Sequence, residues 1–124
     1  MTTTFTMGPR AGAFIASEAN GTRSRDPILV AQGTGTVPPG TVLGRITASG
    51  QYAPLDPGGA DGTEVAAGVL FDAVTRNASA AVRGVGVVRD AELTGFELVW
   101  PGGITEPERA AAIAQLEQRG LVVR

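Results

Sequence analysis

The sequence predicts a mainly β fold with one helix near the C terminus and an extended N-terminal arm. From residue 28 onward, short apolar runs alternate with turns rich in glycine and proline, which is typical of all-β proteins. A single segment, 105–119, carries both the start and the stop signals of a helix. Because the opening residues show no apolar period, we expect an arm over residues 1–26 and a β-rich domain over residues 27–124.

The predicted strands are short and are separated by turn residues. Pro39-Gly40 suits a type II turn. In one strand, Gly84 and Gly86 share a face, and glycines on a strand face allow another backbone to approach closely. The predicted strands cover residues 28–31, 41–48, 51–55, 65–75, 80–89 and 96–100.

The predicted helix has well-marked limits. Thr105 with Glu108 three residues later fits a capping box, and Pro107 falls in the first turn, where its missing N–H costs no helical bond. Gly120 suits a left-handed stop, after which an apolar tail returns to the sheet or to a neighbouring subunit. The apolar stripe of this helix consists of Ala110, Ile113, Ala114 and Leu116.

The arm begins with residues of high β propensity that have no apolar partner nearby. Such a segment suits a strand that pairs with another protein; the alternative is a frayed terminus. We expect the arm to bind through its first residues, with main-chain pairing along the segment and the side chain of Phe5 in a pocket. These residues are Thr2, Thr3, Thr4, Phe5, Thr6 and Met7.

Composition argues against an enzyme. The 124 residues suit one domain, and they include no His and no Cys, while all ten cationic side chains are Arg. The chain therefore lacks the side chain that titrates nearest neutral pH, the thiol nucleophile and the lysine of Schiff bases and carrier domains. We expect no catalytic residue, no cofactor and no metal site.

Net charge and hydropathy also argue against two classes of partner, nucleic acid and the membrane. A net charge of −2 disfavours binding to nucleic acid through phosphate contacts. No apolar run is long enough to cross a membrane, and no signal peptide is evident. We expect neither nucleic acid nor membrane as a direct partner.

Several motifs have ordinary structural explanations. The Gly-x-Gly pairs at 33–35 and 84–86 lack the third glycine and the helix of a dinucleotide site. Asp56, Asp61 and Glu64 share a loop without the spacing of a calcium site. Trp100, fixed by Pro101 at the end of a predicted strand, is either a core residue or an interface anchor.

Residues 28–124 resemble the lambda-type head decoration proteins of tailed phages. The arm agrees with them in character more than in sequence. The resemblance rests on three stretches and on the helix that follows them: DGTEVAAGVL at 61–70, VRGVGVVR at 82–89 and LVWP at 98–101.

This resemblance implies a compact, loop-rich, β-clip-like domain that assembles as a homotrimer. Such trimers sit at three-fold and quasi-three-fold positions of the expanded capsid, on the outer surface of a virion built in the host cytoplasm. The implied partners are the major capsid protein and the chain itself, and the implied role is to stabilise the head against DNA pressure. Trp100, Pro101 and the helix are then expected near the trimer or capsid interface.

Two other functions stay open at this point. One is a trimeric β-clip enzyme such as a dUTP hydrolase, for which Tyr52 lies in no recognisable site. The other is an accessory module of a fibre or of host attachment.

Overall fold

The computed structural model describes residues 10–124, and over this range the chain is built mainly of short strands. The strands are β1 Ile15–Glu18, β2 Arg25–Val30, β3 Thr36–Val37, β4 Val42–Arg45, β5 Tyr52–Pro54, β6 Ala66–Leu70, β7 Val74–Thr75, β8 Val82–Val87, β9 Ala91–Leu93 and β10 Leu121–Val123. The helices are α1 Gly21–Ser24, a 3-10 turn Gly95–Glu97 and α2 Glu106–Gln118. Apart from the four-residue α1 and the 3-10 turn, helix in this range is confined to α2, which confirms the predicted fold class.

Five strands close a barrel in the order β2-β5-β4-β6-β8. Its longest ladder joins β2 and β8, antiparallel from Arg25↔Val87 to Val30↔Val82. The predicted type II turn before β4 is present: Gly40 has φ 86°, and the Thr41 N–H donates to the Pro38 carbonyl. The turn directs the chain into β4, which pairs with both β5 and β6.

The glycine face of β8 differs from the prediction. A Cβ atom on Gly84 would lie 3.0 Å from Cγ2 of Val74, and one on Gly86 would lie 3.2 Å from Cδ1 of Ile28. Apolar side chains, rather than another backbone, fill the space that these glycines leave.

Two apolar clusters form the core. The first joins the barrel to α2, β9 and β10, and the second fills the barrel. The first consists of Phe14, Val42, Leu55, Ala66, Val69, Val87, Ala91, Leu93, Leu98, Ala112, Leu116 and Leu121. The second consists of Ile28, Val30, Val37, Leu43, Leu70 and Val74.

Helix α2 begins as predicted and packs through a different stripe. The Thr105 side chain accepts from the Glu108 N–H, and Glu108 accepts from the Thr105 N–H, which confirms the capping box. The buried residues of the helix are Ala112 and Leu116, whereas Ala110 and Ala114 of the predicted stripe are exposed. Spaced by four, the two buried residues lie above each other on the face that meets the core.

The C-terminal tail returns to the sheet of its own chain. Gly120 has φ 84°, which reverses the chain after α2. β10 then pairs parallel to β9, while β1 pairs antiparallel on the other side of β9. The segment predicted as an arm over residues 1–26 is therefore packed on the domain in its described part, through β1, α1 and the start of β2.

The strand predicted over 96–100 is wrong. Gly95–Glu97 is a 3-10 turn, and in this stretch Val99 forms an isolated parallel bridge with Thr41. Because the turn replaces the strand, Phe96 and Leu98 do not share a face: Leu98 is buried, and the Phe96 side chain is 87% exposed.

Candidate interaction surfaces

The predicted binding residues Thr2, Thr3, Thr4, Phe5, Thr6 and Met7 lie outside the described residues. The described residues begin at Arg10, and Gly12 lies beside Phe71. The Gly12 N–H donates to the Phe71 carbonyl at 3.0 Å, and the Phe14 carbonyl accepts from the Thr94 N–H at 2.7 Å. Phe14 itself is 1% exposed, so the core anchors the chain close to the first described residue.

Further along the chain, a polar cluster connects β1 to β2. Glu18 accepts from the buried hydroxyl of Ser24 at 2.6 Å and pairs with the guanidinium of Arg25. Burial is the largest single influence on the pKa of Glu18 and raises it, but the hydrogen bonds from Arg25 and Ser24, with the charge of Arg25, together lower that pKa below its usual value. Glu18 is therefore ionised at neutral pH and paired on two sides.

Trp100 and Pro101 are half-buried, between the two roles that the sequence left open. Trp100 packs against the first apolar cluster, and it lines two surface cavities, one of about 200 Å³ and one of about 470 Å³. Pro101 lines the smaller cavity. Trp100 thus contacts the core and also forms part of the wall of both surface cavities.

Phe96 is an exposed aromatic residue that the sequence patterns did not indicate. Its side chain is 87% exposed, and it lies at the rim of the larger cavity with Ile113 of α2 and Val123 of β10. The pattern from 96 to 100 predicted a strand instead. The signal against it is local: Thr94-Gly95 precedes Phe96, and a glycine at this position weakens a strand.

The outer side of α2 borders the same cavity with charged and small residues. Glu106 and Arg109 form an ion pair there, and Ala110, Ile113 and Trp100 line the same cavity. The hydrogen bond from Arg109 is the main cause that lowers the pKa of Glu106. The lining of this cavity thus combines apolar side chains with a charged pair.

Tyr52 lies in a separate cleft of about 750 Å³ with Asp26 and Arg89. Arg89 donates to both carboxylate oxygens of Asp26, at 3.2 and 2.6 Å. Its hydrogen bonds to Asp26 are the main cause that raises the pKa of Arg89. Asp90 also lines the cleft and pairs with Arg23, so both carboxylates of the cleft are engaged by arginines.

The carboxylates of the acidic loop accept hydrogen bonds from groups of the loop itself. Asp61 accepts from the Thr63 hydroxyl and N–H at 2.5 and 3.1 Å, and these bonds lower the pKa of Asp61. Glu64 accepts from the Gly62 N–H at 2.9 Å. Between residues 10 and 124, no group of three or more His, Cys, Asp or Glu side chains is placed to hold a metal ion.

No helix within residues 10–124 has the length and apolarity to cross a membrane.

The loop also explains why the Asp-Gly-Thr motif needs its glycine. Gly62 has φ 110°, and a Cβ there would overlap the Arg45 carbonyl oxygen. Across the same contact, a Cβ on Gly44 would lie 2.5 Å from Cα of Thr63. The motif therefore allows a loop backbone to lie directly on β4.

The comparison with protein families agrees with this architecture. The family model described as bacteriophage lambda head decoration protein D matches residues 4–121. No curated protein matches the chain. Because the family model covers nearly the whole sequence, the chain belongs to the bacteriophage lambda head decoration protein D family, and its role is decoration of the phage capsid.

Proposed function

We propose that the chain is a cement protein that binds the expanded phage head as a homotrimer at three-fold and quasi-three-fold positions of its outer surface. The observation that carries the proposal is the family match over residues 4–121. The structure supports it because the buried side chain of Phe14 anchors the chain to the core. Nine residues precede Arg10 in the sequence. Fully extended, nine residues span about 30 Å, enough to reach a neighbouring capsid subunit.

Stabilisation of the head follows from mass action. A ligand that binds one state of the shell more tightly shifts the equilibrium toward that state, and equal affinity for both states shifts nothing. The decoration protein must therefore prefer the expanded lattice to the unexpanded one. Its bound population then opposes rupture of the shell by the packaged DNA.

A trimer increases the affinity of short arms. The residues from Thr2 to Met7 offer few contacts in one arm, mainly main-chain hydrogen bonds of an added strand. When one arm of a trimer is bound, the others bind intramolecularly, and the gain in affinity reaches roughly 10²- to 10⁴-fold. The proposed partners are thus the major capsid protein and two further copies of the chain.

Co-sedimentation with heads tests the proposal. The full chain, a variant without residues 2–7 and a variant with these six residues replaced by Gly and Ser are each mixed with expanded and with unexpanded heads. We expect the full chain to sediment with expanded heads only and both variants to stay in the supernatant while retaining the circular dichroism of the full chain. Equal binding of the shortened chain would disprove the role of the arm, and binding of the full chain to neither kind of head would disprove the cement function.

A further inference from the structure

We propose that Phe96 and Glu97 of one copy dock into the cavity beside Trp100 and Arg76 of a second copy. The inference rests on the proposed homotrimer and names the residues that hold it together. Phe96 with Glu97 is termed the tip, and the cavity of about 200 Å³ lined by Trp100 and Arg76 is termed the socket.

The tip is an aromatic ring without cover. Phe96 has the largest exposed fraction, 87%, among the exposed large apolar side chains of the described chain. Full burial of an aromatic side chain removes roughly 150–250 Å² from water. Such exposed rings are concentrated in protein interfaces, where aromatic residues form the anchors that fill a partner's pocket.

The socket has the size and the lining for a phenyl ring. Its walls are mainly apolar side chains: Val37, Pro38, Val42, Pro54, Leu55, Val99, Trp100 and Pro101. An apolar cavity of about 150 Å³ is large enough to bind benzene, so the socket holds one ring with space at its rim. Phe96 does not line the socket of its own chain, which is consistent with a ring supplied by another copy.

Charge complementarity points to the same pairing. Arg76 lines the socket, and its Nε is a buried donor without a hydrogen-bond partner in the described chain. The guanidinium donates from Nη2 to the Thr34 carbonyl and pairs with no carboxylate in that range. Glu97 is exposed and makes no side-chain hydrogen bond or ion pair within residues 10–124. A tip that places its ring in the socket brings this carboxylate to the arginine.

The placement of tip and socket suits a rotational contact. Trp100 lines both the socket and the neighbouring cavity, which Phe96 also lines, so the tip and the socket both adjoin this one side chain. Contacts in which one copy supplies the tip and the next supplies the socket are heterologous. They close into a ring when the rotation between copies is a whole-number fraction of a full turn, with no shift along the axis. A three-membered ring uses the tip and socket of every copy.

Sedimentation equilibrium of the free protein measures this contact. We expect the full chain to form trimers, and we expect Phe96→Ala to weaken association at least about tenfold per contact, as for a central interface residue. Thr36→Trp, at the rim of the socket, is expected to have a similar effect. Its matched control is Thr75→Trp, which loses the same Thr36–Thr75 hydroxyl hydrogen bond without lining the socket.

A charge exchange tests the pairing itself. Glu97→Arg and Arg76→Glu each place like charges together and are expected to weaken association, whereas the double variant restores the opposite pair and recovers most of it. Leu29→Ala, at an exposed apolar position elsewhere, controls for a general loss of apolar surface. Circular dichroism and thermal unfolding establish that each variant is folded.

The outcomes separate this inference from the proposed function. A full chain that is monomeric at all concentrations, or a trimer unaffected by Phe96→Ala and Thr36→Trp, overturns the inference. If Phe96→Ala reduces head binding and leaves association intact, the tip contacts the capsid, and the inference fails while the cement function stands. Absence of head binding by an intact trimer defeats the cement function alone.

Discussion

The guanidinium of Arg25 lies over the ring of Phe71, with 3.9 Å between Cζ and the ring centroid. Arg25 also pairs with Glu18, and the Phe71 carbonyl accepts from the Gly12 N–H. A cation over an aromatic face is attracted by the electron density of the ring. Two residues therefore connect β2, the chain after β6 and the segment that leads to the N terminus.

We expect Phe71→Leu to loosen this attachment. The change keeps an apolar side chain and removes the aromatic face, so we expect a loss of about 1 kcal/mol in the free energy of unfolding. Denaturant unfolding measures the loss, and hydrogen exchange of the Gly12 amide reports the local opening. Phe71→Tyr, which keeps the face, is the control; equal stability of the Leu variant would show that the stacking contributes nothing.

Stability is expected to depend on pH through Glu18. Because its pKa is lower in the folded state than the usual 4.5, the ionised carboxylate stabilises the fold above that value, and the contribution disappears as the pH falls through the folded-state pKa. Glu18→Gln is therefore expected to be less stable than the natural chain at pH 7 and to approach it in acid.

Urea unfolding of both chains at a series of pH values measures this difference. Asp61, Glu106 and Glu108 also have lowered pKa values, so both chains lose stability in acid, and only the difference between them isolates Glu18. Glu117→Gln, at an exposed position of α2, is the control. A stability gap that stays constant from neutral pH to acid would contradict the prediction.

Gly44 is expected to tolerate no side chain. Its missing Cβ would lie 2.5 Å from both Cα and the carbonyl oxygen of Thr63, and a backbone cannot rotate aside as a flexible side chain does. Gly44→Ala should therefore cost about 1–3 kcal/mol or more. Gly102, with nothing within 4 Å of the corresponding position, provides the control, whose Ala variant should stay within about 0.5 kcal/mol. Thermal unfolding compares the two, and equal midpoints would mean that the loop moves away freely.

Local signals predicted the elements whose causes are local. The capping box at Thr105, the stop at Gly120 and the turn at Pro39-Gly40 each depend on residues within a few positions of one another, and all three are present. The motif around Gly62 was recognised in the sequence for its resemblance, while its physical reason, the contact with β4, required the fold.

Pairing between distant segments was not predictable. β1 lies within the stretch predicted as an unpaired arm, but it pairs with β9, which is far along the chain and was not predicted as a strand. Phe96 shows the same limit at one residue: it was predicted to lie in a strand over 96–100, whereas it lies in a 3-10 turn that exposes the ring. A surface residue that serves an intermolecular contact cannot be distinguished by such a pattern from a core residue.

Phe5 is expected to contribute to head binding and not to the fold. If its ring fills a pocket of the capsid, Phe5→Ala removes the apolar contact of that ring. The loss of binding free energy is about 1–3 kcal/mol per arm, which weakens binding roughly 5- to 150-fold. Binding isotherms on expanded heads measure the change, with Phe5→Leu as the variant that keeps most of the apolar surface and Thr3→Ala as the variant that keeps the ring. The thermal midpoint of the free protein should be the same for all of them. If the binding isotherm of Phe5→Ala is unaltered, the arm binds through main-chain pairing alone. If the thermal unfolding midpoint of Phe5→Ala is lower, the ring packs on its own domain.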